Sequence, residues 1–206
     1  MTKERAPRAW QRMLSGRRLD LIDPSPLDVE IEDIAHGLSR VARWNGQTRG
    51  PEIFSVAQHS LLAEALFAAM APESSAADRL VALLHDAPEY VIGDIISPFK
   101  ATVGDNYRSV EDRLFAAIMI RFQLPTRLSL TLAKAIKAAD RAAAFFEATT
   151  LAGFDKAEAE KFFGRPALAV GAFAKYLEPS RPAEAQARFM ARFRALDEAR
   201  RGDATP

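Results

Sequence analysis

Residues 85–100 read HDAPEYVIGDIISPFK, and the stretch opens on the dipeptide His85-Asp86. The chain holds only three histidines among 206 residues, so the pairing of one of them with a carboxylate carries information. His85 follows Val81 and Leu84, on the inward face of a helix expected over about 76–86 and closed by Pro88. Upstream, His59 begins a row with Leu62, Ala63 and Leu66, which places its ring on an apolar stripe. Downstream, Asp140 shares a row with Ala133, Ile136 and Ala143. Two imidazoles and two carboxylates thus stand where a helix usually carries Leu or Ala. Buried ionisable groups are costly unless they are paired or bind a metal. One inward His alone reads as a hydrogen-bonded core residue, and one inward Asp as a salt-bridge or capping partner. The four together suit one divalent cation, and mixed N/O ligation does not choose among Mn, Co, Ni, Zn and Fe. Adjacent helical residues diverge by ~100°. His85 and Asp86 therefore reach one ion only near a helix end, which Pro88 marks.

Outward from this stretch, Ala and Leu dominate and β-branched runs are short, so the chain reads as all-α. Residues 29–43 place Ile31, Ile34, Ala35, Leu38 and Val41 on one helical face, and Asn45-Gly46 ends that helix. Ser55 and Gln58 have the spacing of a capping box and open a helix to about Met70. Further helices are expected over about 106–122, 126–150 and 181–200, with a loop from Gly93 to Gly104. Residues 151–179 hold Gly153, Gly164, Pro166 and Pro179 and read as irregular. Residues 1–27 are basic, carry three prolines, and read as an arm with at most one short helix. There is no internal repeat or linker, so residues 28–206 form one domain, with a core over 30–150 and a C-terminal helical extension over 151–206.

Composition narrows the function classes. The chain is 49% apolar and 27% charged, with a formal net charge of +1, so no overall field argues for nucleic acid or a membrane surface. The absence of cysteine excludes disulfides, thiolate zinc sites and a cysteine nucleophile. MTKERAPRAW lacks the apolar centre of a signal peptide, and the richest apolar run, LLAEALFAAMA, is interrupted by Glu64. A soluble cytoplasmic protein is expected. Basic residues do cluster in the N-terminal arm (Lys3, Arg5, Arg8, Arg12, Arg17, Arg18) and in the last helix (Arg188, Arg192, Arg194, Arg200, Arg201). Lacking aromatic interleaving, they read as solvated faces or oligomer contacts. Phe189 and Phe193, four apart, mark the last helix as one that docks.

The pattern His59 … His85-Asp86 … Asp140 resembles the HD-domain metal-dependent phosphohydrolase superfamily. HDAPEYVIGDIISPFK, with His59 in a QHS context and acids at Glu89 and Asp94, is similar more narrowly to the bacterial HD-domain 5′-deoxynucleotidases. The resemblance covers roughly residues 30–150. It implies a helical bundle around one divalent ion held by His59, His85, Asp86 and Asp140. Two-metal members use further histidines after the His-Asp pair; this chain has none after His85, so a mononuclear site is expected.

The resemblance also implies roles for other residues. Glu89 orients or deprotonates the attacking water, and Asp94 serves catalysis or the sugar hydroxyl. Taken alone, Glu89 reads as a solvated acid after a proline and Asp94 as a turn residue after Gly93. Arg40, Arg43 and Trp44 lie at i, i+3 and i+4 and can share a helical face. An Arg-Trp pair at the mouth of the site is matched by Arg43-Trp44, with Arg43 forking onto phosphate and Trp44 packing on a sugar that lacks a 2′-hydroxyl. The competing reading of Trp44 is a helix-end core anchor. Lys100 is a further phosphate contact or a surface lysine, and His36, four residues before Arg40, reads as structural.

The expected activity is hydrolysis of a (deoxy)nucleoside 5′-monophosphate, the deoxy form first, to nucleoside and orthophosphate. The alternatives are a deoxynucleoside triphosphate triphosphohydrolase, a non-catalytic nucleotide-binding or sensory protein, and a helical interaction protein with a structural ion. The expected partner is a small nucleotide, without nucleic acid or membrane, and precedent points to a homodimer. The segments outside the matched region, the N-terminal arm and residues 151–179, are placed to roof the pocket.

Overall fold

The computed structural model describes residues 8–95 and 105–202 of the chain. It is mostly helical, with one small sheet. The helices are α1 (Ile31–Leu38), α2 (Val56–Met70), α3 (Ala76–Leu83), α4 (Glu89–Ile92), α5 (Asp105–Arg121), α6 (Leu130–Thr150), α7 (Lys156–Phe163) and α8 (Pro182–Gly202). None of the described helices is long and apolar enough to cross a membrane.

The all-α expectation holds for the fold class, and the small sheet is an addition in the arm that the sequence did not announce. Trp10–Arg12 (β1) pairs antiparallel with Arg18–Asp20 (β2), and Gly16, at φ 87°, turns the chain between them. The hairpin is docked rather than free: Leu19 is fully buried, and Ser15 bonds Asp33 of α1 through its backbone N–H (3.0 Å) and its hydroxyl (2.5 Å). Glu30 accepts from Arg17 of the hairpin and from Arg121 of α5, joining three parts of the chain. The arm does carry an aromatic among its basic residues, since the guanidiniums of Arg8, Arg12 and Arg18 lie 4.5–5.6 Å from the centre of the Trp10 ring.

α2 is the central element. It packs against α1, α3, α6 and α8, and residues from Val56 to Glu64 are buried without interruption. Over that stretch the helix shows no polar face because almost none of it meets solvent. Ser55 and Gln58 form the expected capping box. Gln58 also donates to the Glu178 carbonyl (2.7 Å) and accepts from the Ser180 N–H (3.3 Å), which ties the approach to α8 onto the start of α2. α8 docks as Phe189 and Phe193 suggested: both are buried, and Phe193 meets Phe122 edge-on at 5.0 Å.

Several boundaries differ from the sequence reading for local reasons. The first helix stops at Leu38 rather than near residue 43. Beyond it, Val41 and Arg43 exchange backbone hydrogen bonds with Val56 and Phe54, a short extended bridge that a helix cannot make. α6 starts at Leu130, where Ser129 caps the Leu132 N–H. Residues 151–179 are more ordered than expected: Asp155 caps α7, and a 3-10 turn spans Val170–Tyr176. Finally, α1 and α4 touch at Gly37, where a Cβ would stand 2.7 Å from the Tyr90 carbonyl oxygen.

Candidate metal centre

α3 ends at Leu83, and Leu84 leaves helical geometry with ψ 9°. His85 and Asp86 therefore sit in a turn, before α4 begins at Glu89. This is the bend that lets neighbouring residues face one point. His59, in the first turn of α2, faces them, and Asp140 reaches the same point from α6.

Each imidazole is anchored through Nδ1. His59 Nδ1 donates to Glu147 at 2.5 Å, and His85 Nδ1 donates to the Ala82 carbonyl at 2.9 Å. These bonds fix the rings with both Nε2 atoms turned toward the carboxylates. His59 Nε2 lies 3.3 Å from Asp86 and 3.3 Å from Asp140, and His85 Nε2 lies 3.4 Å from Asp86 and 3.9 Å from Asp140. Both Nε2 atoms are buried, yet neither makes an aligned hydrogen bond despite these distances. Ligand atoms ~2.1 Å from one ion lie roughly 3.0–3.4 Å apart, a spacing that three of these four distances meet and that the 3.9 Å between His85 and Asp140 exceeds. His59, His85 and Asp140 form a group that can hold a metal ion, and Asp86 borders it.

The electrostatics agree. Burial and Arg43 push His59 down, but Glu147, Asp140 and Asp86 outweigh them and hold it well above the usual imidazole value. Burial raises Asp86 and Asp140, but the two histidines more than offset it and both carboxyls lie below their ordinary range.

Glu147 is the residue the sequence reading missed. It is fully buried two helical turns after Asp140 on α6, and besides His59 it accepts from Trp44 Nε1 (3.0 Å) and from Arg43 Nε and Nη2 (both 3.4 Å). Burial raises it, but His59 and Arg43 hold it below its ordinary value. The row Ile136, Asp140, Ala143 continues to Glu147, and that was its sequence signal.

The other named residues fall into three groups. Arg43 enters the assembly: it donates to Asp94 at 3.1 Å as well as to Glu147, and these acids, with Asp86 and Glu89, outweigh burial and keep it firmly charged. Glu89 is buried at the start of α4. Trp44, at φ 56°, turns its ring onto Phe154 and Phe163, with centroids 5.6 and 5.8 Å away, so it is a packing anchor whose N–H also serves the site. Arg40 is not brought in. The helix ends before it, and its guanidinium bonds the His36 carbonyl, Ser39 and Gln186. His36 is likewise apart, lowered by burial and by Arg40. Lys100 lies outside the described residues. A cavity of 180 Å³ opens on the cluster, lined by His85, Asp86, Asp140 and Lys137 among others. Lys137, unremarked in the sequence, bonds Asp140 at 2.6 Å and is largely exposed.

No family model matches the chain. An uncharacterized protein of Rhodobacter capsulatus is 56% identical over 190 residues, which is 92% of this chain and 96% of that protein. The chain belongs to the family of this protein. The uncharacterized protein YfdR of Escherichia coli K12 is 35% identical over 102 residues, covering 50% of this chain and 52% of YfdR. Identity as high as that to the Rhodobacter member extends the fold described above to that member of the family.

Proposed function

We propose that the chain is an HD-domain-like phosphohydrolase with one divalent metal, cleaving the phosphate ester of a deoxynucleoside 5′-monophosphate. The observation that carries this reading is the convergence of two Nδ1-anchored imidazoles, with unpartnered Nε2 atoms, on Asp86 and Asp140. The resemblance of residues 30–150 supports the substrate class. A divalent ion bound there acidifies a coordinated water and polarises a phosphoryl oxygen.

The chain's own groups supply the rest. Glu89, three residues beyond Asp86, takes the proton from the attacking water. The water oxygen bonds to phosphorus, the bond to the 5′ oxygen breaks, and that oxygen is protonated as the nucleoside leaves. Arg43 spends three N–H donors on Glu147 and Asp94, which leaves two for a phosphate oxygen. Lys137, bonded to Asp140 in the lining of the same cavity, would be a second cation for the phosphate. Asp94 holds Arg43 and faces the sugar, and the edge of Trp44 disfavours a 2′-hydroxyl.

The test is product analysis with the metal stripped and then restored as Mn or Co. Orthophosphate from deoxynucleoside monophosphates, and none from ribonucleotides, is the expected result. Triphosphate release from a deoxynucleoside triphosphate would keep the centre but change the substrate. A metal-loaded protein that releases nothing from mono- or triphosphates would overturn the hydrolase. Glu89→Gln is expected to keep metal and nucleotide binding while kcat falls at least about a hundredfold; full activity in that variant would remove Glu89 from catalysis.

A further inference from the structure

A second cavity, of 330 Å³, lies away from the metal centre. Its lining includes Glu64, Arg79, Arg192, Lys175, Tyr176 and Phe173. Glu64 and His59 both belong to α2, five residues apart. That spacing turns ~140° about the helix axis and advances about 7.5 Å, so the two groups leave opposite sides of α2. The cavity is therefore backed by the same helix as the metal centre but faces the other way.

Glu64 is buried and accepts from Arg79 Nε (2.8 Å), Arg192 Nη2 (2.7 Å) and Arg192 Nε (2.8 Å). One carboxylate balances one guanidinium; here it holds two. Lys175 adds a third cation, its Nζ resting 5.1 Å from the centre of the Tyr176 ring with no acceptor of its own among the described residues. The lining thus carries two positive charges that no acid offsets. It also keeps unused donors, since Arg79 engages Glu64 only through Nε and Arg192 through one edge. Two guanidiniums fixed in place by a buried acid are preorganised to fork onto the oxygens of a phosphate. Phe173, with neighbouring alanines, supplies an apolar wall for an organic group.

We propose that this cavity binds a phosphate monoester dianion, held by Arg79, Arg192 and Lys175, with Glu64 as the counter-charge that orients the two guanidiniums. Two surplus charges match a dianion. The volume suits the phosphate with a small organic group, at the lower end of ligand cavities. The site is separate from the metal centre and does not depend on the activity proposed for it.

The test is calorimetric titration of the full chain with inorganic phosphate and with glycerol 3-phosphate, its metal chelated. One site per chain is expected, present also in Asp86→Asn. Lys175→Glu should weaken it by more than about tenfold, through the loss of one charge-assisted bond and the repulsion of the dianion by the new carboxylate, without changing the thermal melt because Lys175 is exposed. Arg79→Gln should weaken it further. Tighter binding of the ester than of phosphate would identify a monoester as ligand; equal affinity would identify free phosphate, and the donor set would stand. Absence of binding in the chelated protein, or unchanged affinity in Lys175→Glu, would overturn the proposal.

Discussion

Glu147 decides how His59 presents itself. A neutral imidazole has one N–H, and a carboxylate on Nδ1 claims it, which frees Nε2 for a cation. Glu147→Gln keeps the size but not the charge. Metal affinity should fall about 10–100-fold, read by competition with a chromophoric chelator; an unchanged value would mean that packing alone orients the ring. The same histidine sets a pH dependence. Its pKa is raised, so the metal-free cluster keeps a proton to higher pH, and a cation must expel it. Affinity should rise with pH, by up to about tenfold per unit while that proton remains bound, with matching proton release in unbuffered solution. His59, His85, Asp86 and Asp140 were legible because a polar residue on an apolar row is conspicuous. Glu147 lies on the same row but near the end of an Ala-rich helix, where an acid reads as solvent-facing. Only the approach of Arg43 and Trp44, more than a hundred residues earlier, shows otherwise.

At the scale of elements, the sequence announced the helices better than their limits. Capping at Ser55 and the apolar periods survive folding because they are local. The end of α1 was not legible, since it depends on pairing with Phe54 and Val56 across a loop. The hairpin was hidden too: its strands are three residues each, too short for a period to show, and Leu19 is its one buried residue. Gly37 could not be read either, because its role is the approach of α4. Gly37→Ala adds helix propensity but drives a methyl into Tyr90. A net loss of about 1–3 kcal/mol is expected from chemical denaturation, along with slower turnover, since Glu89 adjoins Tyr90 on α4. A gain in stability would show that α4 can shift freely.

For the whole molecule, the centre joins α2, the turn after α3, and α6, so its occupancy bears on global stability. With free metal at about a hundred times Kd, binding adds roughly 2.7 kcal/mol, or about 5–10 °C in Tm for a domain of this size. Chelation should remove that increment in a scanning melt; an unchanged Tm would mean that the cluster holds no cation in the folded state. Because α2 is buried without interruption from Val56 to Glu64, the amides of that stretch should be among the slowest of the described residues to exchange with deuterium. His59 lies inside that buried stretch. A cation bound to it would leave through the mouth beside Lys137, and its residence time would follow events at that rim rather than breathing of the interior.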